Sequence, residues 1–281
     1  MDSKIKNIFK LLSINIIFFF LFILIFELFF GHWFEKYNFG PYMREHRFKK
    51  NPYLMTYNNK NYNYTYERNS LAFRGKEINP KNIKIIMVGG STTDERYKPE
   101  ELTIVGKLNT KLLEVGYQKK IINAGVEGQS TFGHIHNFKY WFSKIKNFNP
   151  DNIIFYIGVN DTRILKDGNL QDGWLMNPNK FEQLIDNIKS RSFIADKFKK
   201  IKHKFHKKSK RIIYDYDYSM KVRKDKLFYL NFEEKEKIYD SQVVINKNRK
   251  MVKKYLKNID ILYDLTKSMN AEPIFINQVM H

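Results

Sequence analysis

Apolar residues follow two alternating patterns along the chain. Residues 83–88 are apolar except for Lys84, which is typical of a strand buried on both faces, as in a parallel sheet. The next stretch, 100–116, instead places apolar residues at helical spacing and ends in Gly116, a residue that often terminates helices. The apolar positions of this predicted helix are Leu102, Val105, Leu108, Leu112 and Val115. The pattern therefore predicts a strand followed by an amphipathic helix.

The same alternation continues toward the carboxyl terminus. Residues 119–125 and 151–158 predict strands, and 131–148 predicts a helix between them. A long amphipathic helix is predicted over 241–269, and 271–281 resembles one more strand. Strands that alternate with helices indicate an α/β fold, a three-layer sandwich with a mostly parallel sheet. In such sheets, ligands bind at the carboxyl ends of the strands.

The amino-terminal segment is long and apolar enough to span a membrane. Only three of the residues from 11 to 30 are polar, and a helix needs about 20 apolar residues to cross a bilayer. We expect a cytoplasmic tail at 1–10 and an uncleaved transmembrane anchor at 11–31, since no small-residue cleavage site follows. Basic residues flank both ends, and the domain is expected on the extracytoplasmic side, periplasmic or at the cell surface. The alternative is a buried core helix.

Two further regions do not follow the α/β alternation. Residues 32–80 are rich in Tyr and Asn without clean periodicity, and we interpret them as an irregular connector. The main domain is expected at 81–281, with a basic insertion at about 165–238. The insertion contains the most basic run of the chain. A solvated helical face is one interpretation of this run, and a membrane-facing or glycan-facing lid is the other.

The composition limits the partners and the cofactors. The chain has 50 Lys and Arg against 29 Asp and Glu, a formal charge of +21, which favours an anionic membrane or a nucleic acid as partner, unless it only reflects a chain-wide bias. No nucleic-acid recognition motif accompanies the charge, so no nucleic acid is expected. The chain has no cysteine, which excludes disulfides and thiolate metal sites. Phosphate-loop, dinucleotide and zinc-protease motifs are absent from the sequence, so no cofactor or metal is predicted.

Polar residues and glycines follow three of the predicted strands. They are "GGSTT" at 89–93, "NAGVEGQS" at 123–130 and "GVND" at 158–161. The carboxyl ends of parallel strands meet at one edge of the sheet, so we expect these segments to lie together. Ser91 would then occupy a strand-to-helix turn, where a nucleophile is often held. Taken singly, these residues also suit plain structural roles: Ser91 as a helix N-cap, Gly128 as a turn glycine and Asn160 as a turn or cap residue.

In order and spacing, the three segments resemble the SGNH hydrolases, also called the GDSL family. The resemblance covers roughly 68–281, and "NSLAFRG" before the first strand looks like the membrane-anchored members. It implies that Ser91 is the nucleophile and that Gly128 and Asn160 join the Ser91 amide in an oxyanion hole. Amide donors stabilise the oxyanion of an acyl transfer, and an Asn side chain donates where an ionised Asp does not.

The sequence departs from the family pattern in two places. The first block reads Gly-Gly-Ser-Thr instead of Gly-Asp-Ser-Leu, which keeps the serine. None of the seven histidines is the fourth residue of an Asp-x-x-His motif, which supplies the family's catalytic base. They are His32, His46, His134, His136, His203, His206 and His281. We therefore expect that the sequence is truncated before this block or has lost its base, with His281 as the last candidate.

The resemblance and the anchor together predict a membrane-anchored serine esterase. Its expected substrates are ester or O-acetyl groups on cell-surface glycans or lipids, which are its expected partners besides the membrane. An O-acyltransferase of the same fold is one alternative, because both would form the same acyl-enzyme. A non-catalytic anchored module that binds anionic envelope polymers through its basic insertion is the other.

Overall fold

The computed structural model of the chain forms two compact units, each considered by itself. The helical unit comprises residues 1–44 and 178–210, and the sheet unit comprises residues 45–177 and 211–281. The structure describes residues 3–37, 39, 43, 47, 50–57, 60–162, 180–206, 213–215 and 241–277.

The elements of the two units are as follows. The strands are β1 (Lys50–Tyr57), β2 (Lys60–Glu67), β3 (Ile85–Gly89), β4 (Ile121–Asn123), β5 (Asn152–Ile157), β6 (Ile213–Asp215) and β7 (Glu272–Asn277). The helices are α1 (Ser3–Phe30), α2 (Ser91–Asp94), α3 (Ile104–Glu114), α4 (Thr131–Tyr140), α5 (Lys180–Arg191), α6 (Phe193–His206) and α7 (Ser241–Ser268). Short 3-10 turns lie at Pro80–Asn82, Glu100–Leu102, Phe142–Lys144 and Val159–Thr162.

Four parallel strands form the main sheet of the sheet unit, in the order β4-β3-β5-β7. Every residue of β3 is buried, as expected for a central apolar strand. In the register, Ile86 lies opposite both Ile122 on β4 and Ile153 on β5. The α/β prediction is confirmed, including the last strand; the final residues, 278–281, lie outside the described part of the chain.

Helices cover both faces of this sheet. On one face, Met87 of β3 and Ile154 of β5 pack in a cluster with Val105 of α3. On the opposite face, Phe138 of α4 stacks on Phe155 of β5 with ring centroids 6.3 Å apart. The long helix α7 packs against α4 on that second face. The result is the predicted three-layer arrangement.

The region expected to be an irregular connector contains a second sheet. Strands β1 and β2 form an antiparallel hairpin, and β6 pairs in parallel with β1. The prediction of irregular structure is therefore wrong for 50–67. Tertiary packing accounts for the difference: Met55 and Tyr66 of the hairpin are buried, and the following loop inserts Leu71 and Phe73 into the core. The indole N–H of Trp141 donates to the carbonyl of Leu71 at 2.6 Å.

Two helix boundaries differ from the prediction. Helix α3 ends before Val115, which is 78% exposed instead of belonging to the apolar face. Gly116 has a positive φ of 80° and ends the helix as expected. Helix α4 ends at Tyr140, whereas the apolar periodicity predicts a helix as far as residue 148. Trp141 leaves the helical conformation, and its ring packs on Phe73 at 4.9 Å between centroids.

The helical unit contains α1, α5 and α6. Residues Asn7–Phe30 of α1 are long and apolar enough for a membrane span or for a signal sequence, and none of their most apolar stretch of 18 residues is buried. Helices α5 and α6 lie in the basic insertion predicted at about 165–238. The rest of that insertion, apart from β6, lies outside the described residues.

Candidate active site

The ends of β3 and β5 place two of the predicted site residues side by side. Strand β3 ends at Gly89, which lies opposite Tyr156 near the end of β5. Ser91 opens α2 directly after β3, and Asn160 lies in the 3-10 turn that follows β5. Helix α3 connects β3 to β4 on one face, whereas α4 connects β4 to β5 on the other. This divergence of the connections marks the position where open α/β sheets bind ligands.

An open cleft lies at these strand ends and encloses about 210 Å³ of empty space, counting the solvent at its mouth. The cleft contains both Ser91 and Asn160. Gly128 is outside its lining, but the next residue, Gln129, is part of it. The full lining is Gly90, Ser91, Thr92, Gln129, Ile157, Gly158, Val159 and Asn160. The structure thus brings together two of the three residues named from sequence and places the third beside them.

Ser91 is exposed at the first position of α2. The preceding Gly90 allows a close approach of the two strand ends, because a Cβ there would lie 2.5 Å from Asn160 Nδ2. The Ser91 carbonyl accepts a hydrogen bond from the Glu95 amide at 2.8 Å, which closes the short helix. No described side chain makes a hydrogen bond with the Ser91 hydroxyl. Ser91 is therefore an exposed lining residue of the cleft.

Asn160 is nearly buried and held by a hydrogen bond from its side-chain amide. Its Nδ2 donates to the carbonyl of Gln129 at 2.8 Å. An amide nitrogen carries two hydrogens, so Asn160 has a second donor beyond the one that Gln129 accepts. The Gln129 side chain is itself fixed by two 2.9 Å hydrogen bonds with Asn137 of α4. The described contacts therefore position an amide donor at the cleft.

Gly128 lies in a tight turn between β4 and α4. The amide of Gln129 donates to the carbonyl of Val126 at 3.3 Å, and Gly128 has a φ of 80° in the third position of the turn. A type II turn requires this positive φ, which glycine adopts without strain. A Cβ at Gly128 would meet nothing within 4 Å, so the backbone conformation and not crowding favours glycine here.

A buried charge network behind α2 was not predicted from the sequence. Asp94, the last residue of α2, accepts a hydrogen bond from Arg68 at 2.7 Å and from the Tyr66 hydroxyl at 2.8 Å. Arg68 is 1% exposed and also donates to Tyr66 at 2.5 Å and to the carbonyls of Ala72 and Gly125. Burial raises the pKa of Tyr66 to about 12, so its hydroxyl stays protonated and donates to Asp94.

The charge of Arg68 is maintained in this buried position. Burial alone would lower the pKa of its guanidinium, but the charge of Asp94 and the contact with Tyr66 outweigh that effect and raise the pKa. A second arginine, Arg74, donates to the Asp94 carbonyl and to Glu100 at 2.7 Å. Two arginines from the loop after β2 therefore fix the turn that carries Ser91.

A second buried network holds the turn that carries Asn160. Asp161 accepts hydrogen bonds from the Thr131 amide at 3.1 Å and from the Thr131 hydroxyl at 2.5 Å. The Thr131 hydroxyl in turn accepts from Asn258 of α7 at 2.7 Å. Asp161 thus binds the amino-terminal end of α4, where a negative charge is favoured by the helix dipole. The signal for this role in the sequence is the Asp of the "GVND" segment, which directly follows Asn160.

The histidines whose side chains are described in the sheet unit do not contact Ser91. His134 is fully buried in α4, its Nδ1 has no partner among the described residues, and burial lowers its pKa to about 3. His136 stacks on Tyr140 at 4.1 Å, and burial together with Lys139 and Lys144 lowers its pKa to about 4. Both are neutral packing histidines near pH 7. His281 lies outside the described residues.

Metal ligation has no support in the described part of the chain. No group of three or more His, Asp and Glu side chains is arranged there to hold an ion. The cleft instead combines an exposed hydroxyl with amide groups, which suits nucleophilic chemistry stabilised by hydrogen bonds.

The fold and the cleft define a doubly wound α/β protein with a serine at a strand-to-helix turn. No protein-family model and no curated protein matches the chain. Similar solved structures include AlinE4, a SGNH-hydrolase family esterase, at 18% identity over 68% of this chain and 75% of that chain, with a TM-score of 0.28. A mutant of the same esterase is 28% identical over 28% of this chain and only 42% of that chain, with a TM-score of 0.25. TM-scores this low do not establish a function, which must be argued from the residues themselves.

Proposed function

We propose that this chain is a membrane-anchored serine esterase of the SGNH type. One observation carries the proposal: Ser91 is exposed in a cleft at the junction of β3 and β5, and the side-chain amide of Asn160 lies beside it. A nucleophile and a hydrogen-bond donor at one strand edge are the two groups that acyl transfer needs first.

In the proposed reaction, Ser91 Oγ attacks the ester carbonyl carbon and gives its proton to a base. The carbonyl oxygen becomes an oxyanion, which the Ser91 amide, the Gly128 amide and the Asn160 side chain stabilise, at about 2.7 to 4 kcal/mol per donor. Collapse of this intermediate breaks the ester bond, and the alcohol leaves with the proton from the base. Water then attacks the acyl-serine, which releases the acid and restores the hydroxyl.

We propose that the base of this reaction is not one of the described histidines. His134 and His136 lack a hydrogen bond to Ser91, and serine is a weak nucleophile without an adjacent base. His281 follows β7, whose carboxyl end lies at the same edge of the sheet as the end of β5. We therefore keep His281 as the candidate base within this chain.

The anchor suggests where the substrate lies. We propose that α1 crosses the membrane once and that the sheet unit is extracytoplasmic, with ester or O-acetyl groups of surface glycans or lipids as substrates. The support is the apolar, unburied surface of Asn7–Phe30.

Hydrolysis of 4-nitrophenyl acetate by the full chain in detergent tests the proposal. Ser91→Ala should lower kcat/KM at least 100-fold, since the remaining groups cannot form the acyl-enzyme. Ser143→Ala, which removes an exposed serine hydroxyl outside the cleft, is the matched control and should retain full activity. Equal turnover by the Ser91→Ala variant and the unmutated chain would contradict the esterase assignment.

A non-catalytic module is the second candidate, because no described histidine contacts the Ser91 hydroxyl. Such a module would bind anionic envelope polymers through its lysines, with a strong dependence on salt. Binding to a polyanion that survives Ser91→Ala, in a chain without any ester turnover, would favour this candidate. Salt-insensitive binding would exclude it.

A further inference from the structure

The start of α6 is attached to the last turn of α1 by a partly buried carboxylate. Glu27 of α1 accepts hydrogen bonds from the amides of Phe193 and Ile194 at 3.0 and 2.9 Å. It also accepts from the Ser192 hydroxyl at 2.7 Å and from the Trp33 indole at 3.2 Å. Because a helix begins with unpaired amides, this contact caps α6 with a residue of α1.

Aromatic packing reinforces the same junction. The Phe193 ring lies 6.1 Å from Phe26 and 5.6 Å from Phe30, both on the last turns of α1. The amide of His32 donates to the carbonyl of Arg191, the last residue of α5, at 2.7 Å. The end of α5 and the beginning of α6 are therefore fixed at the end of the apolar helix.

The length of α1 indicates how deep this junction would lie in a membrane. The 24 residues from Asn7 to Phe30 extend about 36 Å as a helix, enough to cross a hydrocarbon core of about 30 Å. With α1 in a bilayer, Glu27 and Phe30 lie near the boundary between the hydrocarbon and the headgroups. Helix α5 ends and helix α6 begins at that depth.

Both helices expose an apolar stripe. On α6, Phe198 is 67% exposed and Ile201 is 50% exposed, and they follow Ile194 at intervals of four and three residues. On α5, Phe181, Leu184 and Ile188 form a similar exposed stripe, at intervals of three and four residues. An exposed apolar stripe on an amphipathic helix is typical of a helix that lies in a membrane interface.

The charges of α6 suit an anionic surface. The helix contains five lysines, at 197, 199, 200, 202 and 204, against the single Asp196. At about 100° per residue, Lys197 and Lys202 flank the stripe of Phe198 and Ile201 on its two sides. Lysines at the edge of an apolar face reach the headgroups while their stems cover apolar surface.

We propose that α5 and α6 lie on the surface of an anionic lipid bilayer, with their apolar stripes in the interface and with Lys197 and Lys202 of α6 at the headgroups. The lipid is that of the membrane that α1 crosses, which makes the surface continuous with the span. The proposal rests on the proposed membrane anchor and is independent of the chemistry at Ser91. A second apolar surface in contact with lipid would fix the helical unit against the membrane.

Quenching by lipids tests the proposal, and the absence of cysteine from the chain makes single-site labelling direct. Phe198→Cys and Ile188→Cys are labelled with a small fluorophore, and the full chain is reconstituted in phosphatidylcholine vesicles containing phosphatidylglycerol and brominated acyl chains. Asp196→Cys and Lys189→Cys, on other sides of the same helices, are the matched controls. Leu24→Cys on α1 reports insertion of the span.

We expect quenching at positions 198 and 188 to exceed that at 196 and 189 by about threefold. Replacement of phosphatidylglycerol by phosphatidylcholine should reduce quenching at 198 and 188 but not at 24. Equal quenching at the four α5 and α6 positions, with position 24 quenched, would overturn the proposal while leaving the anchor intact. An unquenched position 24 would overturn the anchor and the interfacial helices together. A contrast that is independent of lipid charge would overturn the anionic assignment.

Discussion

The turns after β3 and β5 have the same layout but different supports. Each presents a polar residue to the cleft and buries an acidic residue immediately behind it. Behind Ser91, Asp94 pairs with the buried guanidinium of Arg68 at 2.7 Å. Behind Asn160, Asp161 accepts hydrogen bonds from the amide and the hydroxyl of Thr131 at the start of α4.

The difference shows where each turn obtains its rigidity. The Asn160 turn depends on α4, the helix that precedes β5, whereas the Ser91 turn depends on a loop that precedes the main sheet. A buried ion pair is costly to assemble, but removal of one partner leaves an uncompensated charge. We therefore expect the Ser91 turn to be the more sensitive of the two to a single substitution.

The largest stability effect is expected for Arg68→Met. The substitution leaves Asp94 buried without its charge partner and should lower the free energy of unfolding by about 3 to 5 kcal/mol. Urea unfolding of the full chain in detergent, followed by tryptophan fluorescence, measures the loss. Arg96→Met is the matched control, because Arg96 is 4.0 Å from Asp94 but partly exposed, and it should cost about 0 to 1 kcal/mol. Equal losses for the two variants would contradict the role assigned to the buried pair.

A smaller loss is expected for Asp161→Asn. The amide offers a single acceptor oxygen and no charge to the two donors of Thr131, so unfolding should be easier by about 1 to 3 kcal/mol. The kcat of ester hydrolysis should fall with it, because Asn160 is adjacent. Asp260→Asn on the exposed side of α7 is the control, with a change within about 0.5 kcal/mol. A loss as large as that of Arg68→Met would remove the contrast between the turns.

The pH dependence of stability reports on α4, the helix that supports the Asn160 turn. An unfolded histidine binds a proton below about pH 6.5, whereas folded His134 does so only near pH 3 because it is buried. Between these pH values the unfolded state holds the extra proton. His134 should therefore lower the free energy of unfolding by about 1.4 kcal/mol for each unit that the pH drops below 6.5. His134→Gln should reduce that slope in urea unfolding between pH 5 and 7, and an unchanged slope would contradict the assignment.

The smallest effect separates the turn role of Gly128 from its proposed role in the oxyanion hole. Gly128→Ala places a Cβ at a positive φ and should cost about 1 kcal/mol of stability. Gly75→Ala, also at a positive φ with open space around it, should cost a similar amount. Only Gly128→Ala should lower the kcat of ester hydrolysis, since only there does strain move an oxyanion donor. An unchanged kcat in both variants would contradict the proposed role of Gly128 in the oxyanion hole and leave only its structural role in the turn.

Much of the sheet could be predicted because its pattern is local. Continuous apolar runs identified β3 and β5, and glycines identified their ends, which placed Ser91 and Asn160 at one edge. The networks behind them could not be predicted, because Arg68 and Asp94 are 26 positions apart and nothing in the sequence pairs them. The predicted connector, residues 32–80, shows a third case, in which a local strand signal was present but obscured. Its alternating Tyr62, Tyr64 and Tyr66 are a strand signal, which the surrounding asparagines obscured.

The helical unit teaches a similar lesson about charge. The basic insertion suggested either a solvated face or a lid, and its lysine count could not decide between them. The contacts that hold α6 at the end of α1 involve a distant segment: Glu27 caps α6, and Phe26 and Phe30 pack on Phe193. Such contacts join residues more than 160 positions apart, so local periodicity carries no trace of them.

The most direct test of the account is covalent labelling of the full chain with a fluorophosphonate, followed by mass spectrometry of its peptides. An activated serine attacks phosphorus, loses its proton, expels fluoride and retains the phosphonyl group, so we expect a single adduct on the peptide that contains Ser91. The adduct should be absent from Ser91→Ala and present in Ser143→Ala. An adduct on another residue, or an unlabelled Ser91 in the intact chain, would contradict the assignment of Ser91 as the nucleophile.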